Sequence, residues 1–214
     1  MKIVIIGCGG HGRVILDILQ NREEYQIAGF LDDKSDLIKN EVDGVKVIGS
    51  TGDLQSLRKK GIDGLVIGIG DNHIRARLFK EGMCCGFEMI NVVHPQAILS
   101  QNVYLGKGVV VMAGVVVNTG TVIKDNVCIN TGVTIDHDNK LSEHVHIYPG
   151  ATLTGGVTVG KYSCIGTNAA VKPYVKIGNN VVVGTGGAVI SDVPDDVIVA
   201  GVPAKILKRR EGNV

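Results

Sequence analysis

The chain has 214 residues, enough for one domain or two, with 44% hydrophobic and 20% charged residues and a formal net charge of +1. That balance gives no electrostatic reason to expect a nucleic-acid partner, and the apolar run at residues 3–6 is too short for a secretion signal or a membrane span. Five cysteines (Cys8, Cys84, Cys85, Cys128 and Cys164) are an odd number without paired metal-ligand spacing, so reduced thiols in a cytoplasmic protein are expected.

The first strand, residues 2–6, runs into Gly7-Cys8-Gly9-Gly10-His11-Gly12. Residues 13–21 then show helical spacing, with Val14, Ile15, Ile18 and Leu19 expected on the buried side. A strand, a glycine turn and a helix are the context that gives a Gly-x-Gly-x-x-Gly match its meaning. Backbone N–H groups at the helix start can then approach phosphate oxygens closely. The alternative is a glycine turn that serves only packing. A second strand, residues 26–31, ends in Asp32-Asp33, about twenty residues after the glycines, where carboxylates can accept hydrogen bonds from a ribose or a base. Two more strand–helix pairs follow, residues 45–48 with 54–60 and 65–70 with 74–81, and then a last strand at 88–93. Residues 1–93 therefore read as a small, doubly wound, Rossmann-like parallel sheet. Gly9, Gly10, His11, Asp32, Asp33, Gly70 and Asn72 fall at the carboxyl ends of its strands, where ligands bind. His73 and His94 read as structural.

From Leu99 to Val189 every sixth residue is a branched aliphatic, sixteen in register: Leu99, Leu105, Val111 and so on to Val183 and Val189. Two residues before each stands a small or thin residue, with Asn139 and Gly187 the odd members. A period of six is neither helical nor that of a long strand; it fits short strands and turns coiled so that each rung buries the next. The glycines that follow many of the aliphatics, such as Gly106, Gly160 and Gly178, are expected to serve the turns. The coil is assigned to residues 94–199, with a carboxyl-terminal tail at 200–214 whose basic residues, Lys205, Lys208, Arg209 and Arg210, read as a solvated helix face.

One stretch breaks the repeat's own rule: Ile135-Asp136-His137-Asp138-Asn139, with His144 and His146 close behind. Such a break is where function is expected. If eighteen residues complete a turn of the coil, His137 stacks on Gly155, and Thr167 on Thr185, about 4.8 Å apart. His137 and His146 are then half a turn, on the order of 15 Å or more, apart within one chain. They can share a site only across a subunit boundary, as a threefold ring of coils would allow. The bland reading of all three histidines is a solvated surface. Their spacing does not suit a metal site, and none is expected.

The hexads resemble the left-handed parallel β-helix of hexapeptide-repeat acyltransferases. Gly-Cys-Gly-Gly-His-Gly, Phe-Leu-Asp-Asp at 30–33, Ile-Gly-Asp-Asn at 69–72, Asn-Thr at 130–131, His137-Asp138 and Gly-Val-Pro-Ala-Lys at 201–205 extend the likeness over nearly the whole chain. Together they resemble the bacterial sugar acetyltransferases of the sialic-acid O-acetyltransferase-like family, and most of all its N-acetyltransferases of nucleotide-linked 4-amino-4,6-dideoxy sugars. The resemblance implies a homotrimer that uses acetyl-CoA as cosubstrate and no metal. It implies His137 as general base and Asp138, in place of a glutamate, as its orienting carboxylate, with Asp136 the competing candidate. It further implies Asn130 at the substrate, the Gly155 N–H as oxyanion donor, and His146, Thr167 and Thr185 against acetyl-CoA. Gly9, Gly10, His11, Asp32, Asp33 and Gly70 would hold the nucleotide sugar. Sugar O-acetylation, and a noncatalytic nucleotide-sugar-binding coil, stand as alternatives.

Overall fold

The computed structural model describes residues 1–210, and the chain divides into two compact units, the second beginning at Val93. The first unit comprises β1 (Lys2–Ile6), α1 (Gly10–Gln20), β2 (Gln26–Leu31), β3 (Glu41–Val42), β4 (Val45–Gly49), α2 (Leu54–Lys59), β5 (Gly64–Ile67), α3 (Asn72–Cys84) and β6 (Glu88–Met89). The strand order is β3-β4-β2-β1-β5-β6. All neighbours are parallel except the β3–β4 pair, which is antiparallel. The sheet is thus mixed at one edge, where a turn through Asp43 and Gly44, both with positive φ, folds β3 back. β1 is central, and Ile3, Val4, Ile5 and Ile6 are at most 1% exposed, as a parallel strand covered on both faces requires.

Three expectations for this unit are corrected. α1 starts at Gly10, three residues earlier than the spacing suggested, and buries Gly12, Ile15, Leu16, Ile18 and Leu19, while Val14 is 46% exposed. Gly12, Ile15, Leu16 and Leu19 form the i, i+3, i+4, i+7 stripe, and Val14 falls outside it. The strand expected at residues 88–93 is two strands: β6 pairs with β5, whereas β7 (Val92–Val93) already belongs to the coil. Its Val93 sits one hexad before Leu99. α3 is longer than its apolar pattern, because the Asp71 side chain accepts the His73 and Ile74 N–H groups and starts the helix at Asn72.

In the second unit, sixteen two-residue strands follow at intervals of six, from β8 (Ile98–Leu99) to β23 (Ala188–Val189). From β8 to β20 each pairs in parallel with the strand eighteen residues on, as in Val116↔Thr134 and Thr134↔Thr152, so three hexads make one turn of a parallel β-helix. The aliphatic of each rung points inward, and Val111 through Val189 form one continuous core with the thin residues beside them. Full burial of each such side chain is worth about 1.5–3 kcal/mol.

The glycines of the repeat do a different job from the one expected. The left-handed residue lies three positions after the aliphatic, at every sixth residue from Gly108 to Gly186, and includes Asn126, Asp138, His144, Asn168 and Asn180. Gly160 and Gly166, directly after the aliphatic, have no positive φ. A Cβ on either would come 2.5 Å from backbone of the next turn of the coil, so close stacking rather than the bend demands glycine there.

The basic end is also corrected. β24 (Val197–Gly201) extends the coil beyond Val183, and β25 (Ala204–Arg209) returns antiparallel to it, so Lys205, Lys208 and Arg209 lie on a strand, not a helix. Gly201 to Ala204 make the hairpin turn, and a proline inside it excludes a continuing helix. The last four residues of the expected 200–214 tail lie outside the described residues.

Candidate active site

In the first unit the chain leaves β1 for β2 on one side and later returns to β5 on the other, which opens a crevice at the carboxyl end of β1. Gly9, Gly10, His11, Asp32 and Gly70 line one cleft of about 560 Å³ there, together with Cys8, Lys34 and Leu37. Asp33 lines an adjoining cleft of about 330 Å³ with Thr51, Ile69, Ile74 and Leu78. The glycines divide by cause. Gly7 has φ of 88°, and a Cβ on Gly12 would overlap the Gly7 carbonyl oxygen, so the fold itself demands both. Gly9, Gly10 and Gly70 have no positive φ, and a Cβ on any of them would meet nothing within 4 Å. Their smallness leaves the cleft wall as bare backbone.

The carboxylates at the end of β2 are built into this wall. Asp32 Oδ2 accepts the Cys8 N–H at 3.1 Å and the thiol at 3.2 Å, and Oδ1 accepts the Lys34 N–H at 3.1 Å. Burial pushes its pKa up, but these N–H groups outweigh it and hold Asp32 below the ordinary carboxylate value. Burial and the Asp32 carboxylate push the Cys8 thiol up to about 11, which leaves it an inert hydrogen-bond donor. Asp33 accepts from the Thr51 N–H at 2.8 Å and hydroxyl at 2.9 Å and so ties β2 to the turn after β4. His11 is pushed down to about 4, first by burial and then by the Arg75 charge, and is neutral at pH 7.

Sequence reading missed Arg75, which is 1% exposed and donates to the Ile69 and Gly70 carbonyls at 3.3 and 3.2 Å. The signal was present: Arg75 belongs to the buried stripe Arg75, Leu78, Phe79 and Gly82 of α3. A cation in a slot of that spacing is out of place unless something in the interior needs it.

In the coil, His137, Asp138 and Gly155 meet at one corner. The His137 Nδ1 lies 2.8 Å from Asp138 Oδ2, with the two side chains 46% and 69% exposed. Asp138 takes the left-handed corner position (φ 60°), and Gly120, one turn earlier, leaves room for its carboxylate. Asp136 faces elsewhere: its Oδ1 accepts from Asn118 Nδ2 and from the His137 N–H, both at 2.9 Å. Of the two candidates, Asp138 is therefore the one in contact with the imidazole. That hydrogen bond raises the His137 pKa, and the charges of Asp136 and Asp138 add to it against a smaller effect of burial. With Nδ1–H donated to Asp138, Nε2 carries the lone pair. Gly155 lies beneath this edge of the ring, where a Cβ would stand 2.6 Å from both Cε1 and Nε2. The Gly155 carbonyl accepts from Tyr174, and its N–H makes no hydrogen bond to another described residue.

The remaining candidates lie on another side of the coil. His146 is in β16 (His146–Ile147), between Cys128 and Cys164. Thr167 and Thr185 stack at the corner that follows this sheet, joined through the Gly186 N–H to the Thr167 carbonyl at 2.8 Å. Asn130 is at the same corner, its Oδ1 accepting the Thr131 N–H at 2.9 Å. Within one chain they do not meet His137. The surface reading of the other histidines is corrected: His146 is 3% exposed and stacks on Tyr148 at 4.2 Å. His144 stacks on Tyr162 at 5.0 Å and bonds Asn126 at 2.9 Å, a column of corner residues eighteen apart. Among the described residues, no group of three or more His, Cys, Asp or Glu side chains is arranged to hold a metal ion.

A β-helix wound from hexads, with a carboxylate-backed histidine at its corner and a Rossmann-like unit before it, defines a hexapeptide-repeat acyltransferase. The PglD N-terminal domain family matches residues 2–81. The solved structure of PerB from Caulobacter crescentus, in complex with CoA and GDP-perosamine, is 41% identical, covers 97% of this chain and 98% of its own, and has a TM-score of 0.92. The acetyltransferase domain of PglB from Neisseria gonorrhoeae, in complex with acetyl coenzyme A, is 40% identical over 96% of this chain and 98% of its own, with a TM-score of 0.90. A Bacillus subtilis UDP-N-acetylbacillosamine N-acetyltransferase is 36% identical over 113 residues, which span 52% of this chain and 51% of that relative. The chain belongs to the family of sugar N-acetyltransferases represented by PerB and the PglB acetyltransferase domain.

Proposed function

We propose that the chain transfers the acetyl group of acetyl-CoA to the 4-amino group of a nucleotide-linked 4-amino-4,6-dideoxy sugar. The observation that carries this reading is the corner where the His137 ring, backed by Asp138, lies with its Nε2 edge against the backbone of Gly155. His137 takes a proton from the sugar amine as its nitrogen attacks the thioester carbonyl. The Gly155 N–H donates to the oxyanion that develops there. When the C–S bond breaks, the imidazolium returns the proton to the departing thiolate. Nitrogen gains the acetyl group and loses one proton, sulfur gains that proton, and no acyl-enzyme forms.

The clefts of the first unit would hold the nucleotide. A diphosphate fits against the bare backbone of Gly9, Gly10 and Gly70 at the start of α1, with Lys34 beside it. Ile69, Ile74 and Leu78 offer the base an apolar wall. A neutral His11 can donate one N–H there but adds no charge. GDP-perosamine in the PerB structure and the UDP sugar in the name of the Bacillus subtilis relative support the substrate class.

His146, Thr167 and Thr185 would meet acetyl-CoA, and Asn130 the substrate, at a site completed by His137 of a neighbouring copy in a homotrimer. A cytoplasmic location accords with both substrates and with five free cysteines.

The test follows thiol release from acetyl-CoA with GDP-perosamine, UDP-linked 4-amino-4,6-dideoxy sugars and free sialic acid, each against His137→Ala. Turnover on one amino sugar, reduced by roughly 10²- to 10⁴-fold in the variant, is expected. Turnover on sialic acid alone would replace the reading with O-acetylation. Absence of CoA binding would overturn the enzyme reading.

A further inference from the structure

Thin positions of the coil bury small side chains, yet Asn139 fills one of them and is fully buried. Its neighbours in equivalent slots show what a polar residue there does for the coil. Thr121 Oγ1 donates to the Asp136 carbonyl, fifteen residues on, at 3.0 Å, and Ser163 Oγ donates to the Gly178 carbonyl, again fifteen on, at 2.7 Å. Asn139 makes the same bond: Nδ2 donates to the Thr154 carbonyl at 3.0 Å. Being longer than a hydroxyl, its amide also reaches back within its own corner, to the carbonyls of Asp136 at 2.8 Å and His137 at 3.2 Å. The Asp136 carbonyl is thereby held from two sides, by Asn139 and by Thr121, whose Oγ1 in turn accepts the Asn139 N–H at 3.3 Å.

The three carbonyls are not scattered. Two flank the peptides that carry His137, and the third belongs to the residue directly before Gly155. We infer that Asn139 is a positioning residue for acetyl transfer, its buried amide clamping the backbone of His137 to the segment that presents the Gly155 N–H. It touches neither substrate nor the imidazole. It sets the distance between the base and the oxyanion donor, which lie on successive turns of the coil, and it acts beside the ladder bonds from the Gly156 N–H to the His137 carbonyl and from the Asp136 N–H to the Leu153 carbonyl, both at 2.9 Å. The inference rests on the general-base reading of His137. It accounts for the one break in the thin-residue rule that falls two residues after that histidine.

Asn139→Ser separates the two functions of the amide. Serine occupies the equivalent slot at 163, so it keeps the bond to the Thr154 carbonyl and loses the two to the His137 corner. Asn139→Val restores the apolar pattern and loses all three. Both are compared with wild type and His137→Ala in acetyl transfer to GDP-perosamine and UDP-linked 4-amino sugars, by thermal unfolding, and by NMR titration of His137. The serine variant is expected to unfold within a few degrees of wild type and to keep KM for both substrates within about twofold. Its kcat should fall by roughly 10- to 100-fold, the scale of a small misplacement at a reacting centre. Its His137 should titrate lower than in wild type, as the Asp138 contact loosens. The valine variant should lose at least as much activity. Wild-type kcat in both variants, or unfolding of the serine variant, would overturn the inference. Should His137→Ala keep full activity on the same sugars, the general-base reading falls. The titration then decides by itself whether Asn139 positions the ring: a lowered value supports it and an unchanged one overturns it.

Discussion

The imidazole of His137 rests on the backbone of Gly155, eighteen residues on, at a spacing that leaves no room for a Cβ: one would stand 2.6 Å from Nε2. Glycine is therefore required here by the ring above it, since Gly155 has no positive φ. Gly155→Ala should push the half-exposed ring away from the corner without unfolding the coil. The expected result is a kcat lowered by about 10²-fold, with a melting temperature close to wild type and CoA affinity unchanged. A variant of wild-type rate would mean that the ring and the Gly155 N–H need not be in register.

The Asp138 carboxylate raises the pKa of His137, so the base is unprotonated, and activity full, only at a pH above the ordinary imidazole value of about 6.5. Asp138→Asn removes the charge and the strongest hydrogen bond. The acid limb of the kcat/KM profile should then shift to lower pH, while the plateau rate falls by roughly 10- to 100-fold because the ring is a weaker base. An acid limb that stays in place would assign the titration to another group, and the profile of Asp136→Asn would then be the next comparison.

The repeat was legible because its period is imposed by stacking: every sixth aliphatic must reach the same core, so no frame slip is tolerated. The rule-breaking Asn139 was legible for the same reason. What the pattern could not reveal was which residue bends the corner, since Asn126, His144 and Tyr174 share that duty with glycines and no single residue type marks it. β3 was invisible, being two residues without a pattern of their own. Val92–Val93 continues the apolar run of β6 in sequence yet pairs in the coil, where Val93 extends the hexads by one step. Lys205, Lys208 and Arg209 are spaced in a way that a helix face would also accept, and it is pairing with β24 that makes them a strand. At the cleft the lining glycines were legible, but the role of Asp33 as a tie to Thr51 depends on a contact between elements far apart in sequence.

His11 offers a test of the first unit's pH response. Burial, then the Arg75 charge, depresses its pKa to about 4, below the unfolded reference of about 6.5, so folding favours the neutral ring. The stability this represents is complete above about pH 6.5 and is lost progressively as pH falls toward 4. Urea unfolding at pH 7.5, 6.0 and 5.0 should show the first unit weakening over that window, and His11→Asn, which cannot ionise, should weaken less. Equal slopes in the two proteins would remove His11 as the cause.

Gly10 and Gly12, two residues apart in α1, differ in what requires them. A Cβ on Gly12 would overlap the Gly7 carbonyl oxygen, whereas on Gly10 it would meet nothing within 4 Å. Gly12→Ala should therefore cost about 1–3 kcal/mol of stability by overpacking. Gly10→Ala, inside the first turn of α1, should be neutral or stabilise by up to about 1 kcal/mol. If the cleft holds a diphosphate against bare backbone, Gly10→Ala should nonetheless weaken nucleotide binding by about tenfold or more, an opposition of sign that a purely structural glycine would not produce. Calorimetric titration with UDP and GDP, alongside thermal unfolding of both variants, reads the two quantities independently. Unchanged nucleotide affinity in Gly10→Ala would leave the glycine turn with a packing role alone, and the nucleotide would have to be sought away from the start of α1.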